Sequence, residues 1–75
     1  MSHVVTSYIE YDPESKMYVG IVPAVPGAHT QGETLDEVQK NLKEVVELCL
    51  QEMDATEKRL MPKFVALSQI EVFVD

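Results

Sequence analysis

The acids Glu10, Glu44, Glu47 and Glu71 fall in separate stretches of the chain and are the first group to test for chemistry. A two-metal site for phosphodiester hydrolysis needs several convergent carboxylates holding ions ~3.5–4 Å apart. In the reading developed below, Glu10 and Glu71 project to one side of a sheet while a helix carrying Glu44 and Glu47 covers the other, so the four do not converge. His29 follows a Pro-Gly turn and His3 lies near the terminus, neither with a Cys-His or Ser-His-Asp arrangement around it. Cys49 falls on an apolar helical stripe, where a thiol behaves as a small core residue. It is the single cysteine, so no internal disulfide and no metal-ligand spacing is expected. Gly20, Gly27 and Gly32 are isolated rather than gathered in a phosphate loop. No catalytic residue, metal ligand or cofactor is expected, and the chain reads as a non-enzyme.

The element that positions everything else is a helix. Thr34 followed by Glu37 has the spacing of a capping box, in which each side chain satisfies the other's backbone N–H. Asp36 and Glu37 place negative charge in the first turn, where the helix dipole favours it. Leu35, Val38, Leu42, Val45, Val46, Cys49 and Met53 then recur at spacings of three and four, giving one apolar stripe from Thr34 to Met53. Lys40, Lys43, Glu44, Glu47 and Glu52 lie mostly off it.

Ahead of the helix, Val4 to Tyr11 alternates and is rich in β-branched and aromatic residues, the pattern of a strand. Val5 and Ile9 share one face; Thr6, Tyr8 and Glu10 share the other. Asp12-Pro13-Glu14-Ser15-Lys16 is a turn, and Met17 to Val22 returns as a second strand. Here Met17, Val19 and Ile21 are assigned to the core face and Tyr18, Gly20 and Val22 to the other. Pro26-Gly27 marks a turn, and Ala28 to Gln31 has room for a short third strand. After Met53 the period is lost; Pro62 prevents smooth helix continuation, and a frayed helix end and loop are expected. Val65 to Val74 alternates again, with Ile70, Val72 and Val74 on one face and Gln69, Glu71 and Phe73 on the other, so a fourth strand is expected.

The expected fold class is α+β: a βββαβ order in which one helix packs on one face of a small mixed sheet. Seventy-five residues form a single domain, 1–75, with no separate DNA-binding domain. Val5, Ile9, Met17, Val19, Ile21, Ile70, Val72 and Val74 would meet the helix stripe. If the last strand lies beside the first, the helix is a right-handed crossover. Thr6, Tyr8, Tyr18, Val22, Gln69, Glu71 and Phe73 would line the open side, where aromatic residues mark a partner interface. A domain of this size buries only about 60% of the surface its unfolded chain exposes, which favours self-association.

Thirteen acidic against six basic side chains give a net charge of −7, which argues against direct nucleic-acid binding and suits a basic protein partner. The N-terminus lacks a basic segment followed by an apolar run, and no apolar stretch reaches the ~20 residues of a membrane span; a cytoplasmic location without membrane association is expected.

Three separated motifs carry a family resemblance: Tyr18-Val19-Gly20-Ile21-Val22-Pro23-Ala24-Val25-Pro26-Gly27; then Gln31-Gly32-Glu33-Thr34-Leu35-Asp36-Glu37-Val38; then Asn41. Together they resemble the HicB family of antitoxins, across Tyr8 to Val74. Two positions depart from the family pattern: Ala28 stands where cysteine is frequent, and Glu33 where aspartate is usual. The resemblance implies a degenerate ribonuclease-H-like βββαβ fold and a type II toxin-antitoxin role, neutralising a small basic, RNA-cleaving HicA-type toxin by occlusion. Many members continue into a DNA-binding domain, whereas this chain ends at Asp75, so DNA binding is not expected of it. Tyr8, Tyr18 and Phe73 are the expected partner-binding anchors, with Glu10 and Glu71 as acidic contacts. The alternatives are a stand-alone homo-oligomer, dimer or tetramer, without a toxin partner, and a residual metal-dependent nuclease.

Overall fold

A computed structural model describes residues 3–75. Its elements run β1 (Tyr8–Asp12), β2 (Met17–Ile21), β3 (His29–Gly32), α1 (Leu35–Glu52) and α2 (Ala55–Arg59). The three strands form one antiparallel sheet in the order β1-β2-β3. The fold is therefore a small α+β unit with one main helix on one face of the sheet.

The β1–β2 hairpin closes on Asp12. Its carboxylate accepts from the Glu14 N–H and the Ser15 hydroxyl, both at 3.0 Å, and its carbonyl accepts from the Lys16 N–H at 2.8 Å. Lys16 takes a positive φ of 60° to return the chain to β2. These bonds to the charged form hold the Asp12 carboxyl below its ordinary value of 3.8, the Glu14 N–H contributing most and the Ser15 hydroxyl next.

Thr34 caps α1, accepting from the Glu37 N–H at 3.1 Å, which is one half of the expected capping box. A cap of this kind stabilises a helix by roughly 0.5–2 kcal/mol. The stripe buries Val38, Leu42 and Val46, while Val45, Cys49 and Leu50 pack at its margin and Leu35 is exposed. Residues 55–59, expected as frayed helix end and loop, instead form the short helix α2. Its capping box is complete: Asp54 accepts from the Glu57 N–H at 2.7 Å, and Glu57 from the Asp54 N–H at 3.2 Å.

Three expectations are corrected. First, the core face of β2 is the opposite one. Register pairs Ile9 with Gly20 and Tyr11 with Tyr18, and directly paired residues share a face. A Cβ added at Gly20 would lie 2.6 Å from Leu42 Cδ1, so Gly20 lies under the helix. Met17, Val19 and Ile21 therefore face away from α1, and Val22, expected outside, is buried. The strand offers its glycine to the helix because only a missing side chain lets the two backbones approach this closely. Gly32 does the same on β3, where an added Cβ would meet the Val38 N at 2.7 Å.

Second, the Pro-x-x-Pro-Gly stretch is more than a turn. Val22, Val25 and Ala28 are each only 2% exposed and join Leu42 and Val46 in the core cluster. The loop folds back on itself through Val22 N–H to Ala28 C=O at 2.8 Å, and through Val25 and Ala28 N–H bonds to Val22 and Val25 carbonyls at 3.1 Å. With its backbone satisfied internally, it can be buried. Each fully buried Val contributes roughly 1.5–3 kcal/mol.

Third, Val65 to Val74 is not a strand in this chain. Residues 62–75 carry no assigned helix or strand and, among 63–75, every side chain is exposed. The sheet is accordingly purely antiparallel rather than mixed, no parallel crossover forms, and Ile70, Val72 and Val74 are outside the core. A strand exists only where a neighbouring backbone accepts its hydrogen bonds, and this segment has none beside it.

Candidate partner-binding surface

The sheet face turned away from α1 is the most coherent surface on the folded part of the molecule. Antiparallel register lays it out in two rows: Tyr8, Ile21 and His29 across the three strands, then Glu10, Val19 and Gln31. Tyr8, Val19 and Ile21 are 43%, 40% and 46% exposed, and Glu10, His29 and Gln31 are exposed beside them. An aromatic ring and two branched aliphatic side chains thus form a small apolar centre, with a carboxylate, an imidazole and an amide around it. Such a face offers contact area with polar groups at its rim, the general layout of a protein interface.

Of the expected contact residues, Tyr8 and Glu10 lie here together. Tyr18 does not: its register with Tyr11 and Gly32 puts it on the helix side of the sheet, where it packs edge-on against Tyr11 with ring centroids 5.1 Å apart and planes at 62°. Tyr18 is half-buried as a result, part of the hairpin's own packing. Glu71 and Phe73 stand on the unpaired C-terminal segment, with Phe73 91% exposed. The sequence reading missed Val19 and Ile21 because their alternation with Tyr18 and Gly20 was resolved toward the more apolar set. Gly20 was the signal that would have reversed it.

One side-chain bond ties the helix to the sheet near this face. Asn41 Nδ2 donates to the Gln31 carbonyl at 3.1 Å, occupying a backbone acceptor on β3. The four carboxylates weighed for metal chemistry are dispersed: Glu10 is on the outer sheet face, Glu44 and Glu47 on α1, and Glu71 on the C-terminal segment. Among the described residues no group of three or more His, Cys, Asp or Glu side chains is placed to hold a metal ion. Cys49 is a free thiol, half-buried at the edge of the core. No helix among the described residues is long and apolar enough to cross a membrane.

The sequence is similar to small proteins from distant organisms. It is 56% identical over 69 residues to a UPF0150 protein of Thermotoga maritima, a match covering 92% of this chain and 89% of that protein. A UPF0150 protein of Synechocystis is 48% identical over 46 residues, covering 61% of this chain and 65% of its own length. One from Archaeoglobus fulgidus is 49% identical over 43 residues, covering 57% and 61%. No family model matches the chain, and no solved structure matches it. The extent and identity of the Thermotoga match place this chain in the UPF0150 family.

Proposed function

We propose that this protein is an antitoxin-like binding module that neutralises a small basic, RNA-cleaving toxin of the HicA type by occluding its cleavage site, acting in the cytoplasm. The observation that supports this reading is the outer sheet face, where Tyr8, Val19 and Ile21 stay exposed beside Glu10 on a chain of net charge −7. Apolar groups left in solvent at the centre of a patch gain most by desolvation against a partner. Glu10 and the net negative charge of the whole chain speed encounter with a cationic surface. Asp12 and Glu14 at the hairpin tip extend that charge beyond the face. The HicB-like motifs described above point to the same class of partner, and the module needs no catalytic group of its own.

Calorimetric titration with a catalytically disabled HicA-type protein from the same genome, followed by RNA-cleavage assays with the active toxin, tests this reading. Stoichiometric binding, loss of cleavage and an association rate that falls with added salt are the expected results. Val19→Asp should weaken binding by about tenfold or more, since it buries a carboxylate in the apolar centre of the contact, where it loses its hydration. Absence of both heat and inhibition would sink the proposal.

A further inference from the structure

The C-terminal segment carries six large apolar side chains, Val65, Leu67, Ile70, Val72, Phe73 and Val74, each between 62% and 91% exposed. Alternation gives it one continuous apolar side, Ile70, Val72 and Val74, and a second side on which Gln69 and Glu71 accompany Phe73. A stretch of this composition with no neighbour is an adhesive surface in water.

The folded part has one edge suited to it. The Val22 N–H donates to the Ala28 carbonyl, so β2 turns the backbone groups of Tyr18, Gly20 and Val22 toward β3 and those of Met17, Val19 and Ile21 toward β1. By the same alternation, Ile9 and Tyr11 direct their N–H and C=O groups outward along the free edge of β1. The opposite edge is partly closed, because Asn41 takes the Gln31 carbonyl. The helix leans the same way: α1 packs on β3 and β2 rather than on β1. That offset leaves a groove of about 780 Å³ between α1 and the segment leading into β1, with Val5, Val22, Leu42, Val46 and Leu50 among its apolar lining and Gln39, Lys43, Glu47 and Gln51 of α1 among its polar lining. An open backbone edge and an apolar trough therefore lie side by side, as a further strand with one apolar side requires.

The chain's own segment does not enter. Met61 still packs against the core, but at Pro62 the path leaves, and from residue 63 onward every side chain is exposed. Proline disfavours the helical conformation of the residue before it, so α2 does not continue through Pro62; Met61 to Phe64 flank a cavity shared with Val5 and Tyr8, and from residue 65 the segment runs exposed.

We propose that two copies of this chain exchange their C-terminal segments, residues 65–74 of each adding a strand to the β1 edge of the other and laying Ile70, Val72 and Val74 into its groove. The exchange is reciprocal, so a two-fold dimer satisfies both free edges and both adhesive segments and then closes. It removes the exposed apolar row without any contribution from a toxin, and it leaves the outer faces of both sheets available.

The test uses this chain alone, so its result is independent of toxin binding. Light scattering should give twice the chain mass of 8.5 kDa at micromolar concentration. In dimers mixed from isotope-labelled and unlabelled chains, isotope-filtered NMR should show contacts between residues 65–74 and β1 that are intermolecular. Val72→Asp should raise the dimer dissociation constant by about tenfold or more while leaving the helical circular dichroism unchanged. A monomer at these concentrations, β1 contacts that are only intramolecular, or a dimer indifferent to Val72→Asp would each overturn the proposal.

Discussion

Two stretches of this chain, Val4 to Tyr11 and Val65 to Val74, share a strand-like pattern, alternating and rich in β-branched residues. Their fates differ. The second half of the first, from Tyr8, enters β1, which pairs over five positions with β2, while residues 4–7, expected as strand, are not; the second stretch runs exposed to the C-terminus. The difference lies in what stands next to each. β1 is followed at once by the Asp12 turn, whose three hydrogen bonds bring β2 alongside. The C-terminal stretch is preceded by α2 and Pro62, neither of which forms a turn that pairs it with the sheet. β-propensity records how well a side chain fits a half-buried pleated surface, and it acts only when such a surface is present. A helix is the contrasting case, since its hydrogen bonds are internal: even the five-residue α2 closes, aided by its reciprocal cap.

The sharpest way to test this division is to compare truncations in the two regions. Leu42→Ala should cost about 2–5 kcal/mol, because Leu42 is 4% exposed and lies against Gly20 in the core. Val74→Ala, at an 87% exposed position, should change the stability of the monomer, measured below the dimer dissociation constant, by less than about 0.5 kcal/mol. Chemical denaturation followed by circular dichroism measures both; comparable losses would mean that the C-terminal segment packs within its own chain. Gly20→Ala should cost about 1–3 kcal/mol, since its Cβ would intrude on Leu42 and Val38. A neutral result would show that α1 does not seat on β2 as closely as the structure has it.

The smallest expected effect belongs to the hairpin. Asp12 has a folded-state pKa below its unfolded value, so its contribution to stability is fully present above about 3.8 and is lost as pH falls through the lower folded value. Asp12→Asn should therefore flatten the acid limb of the stability profile below pH ~4 and leave the shape of the neutral region unchanged. An unaltered acid limb would remove Asp12 from the account of the turn.

The Thr34 cap, the stripe from Val38 to Val46, the Asp12 turn and the antiparallel hairpin were legible in the sequence because each depends on residues within a few positions of one another. The open-face placement of Tyr8 and Glu10 was legible for the same reason: period-two alternation divides a strand's faces without reference to its neighbours. What alternation does not say is which face the helix takes. On β2 the more apolar set, Met17, Val19 and Ile21, was assigned inward, while the structure turns Gly20 inward because Leu42 needs the space. The site changed with it, losing Tyr18 to the hairpin's own packing and gaining Val19 and Ile21.

The sequence by itself determined the order of the three strands and main helix, the bounds of α1 to within its caps, and the acidic balance of the surface. Local hydrogen bonds, helical periodicity and a count of charges are properties of neighbouring residues and need no tertiary contact. Only the tertiary structure decided that the Val22–Ala28 loop is core, that glycines are the seats of the helix, and that Val65 to Val74 has no place in its own sheet. Each of those outcomes depends on which surfaces meet across the fold, through packing distances of a few ångströms that a linear pattern does not contain.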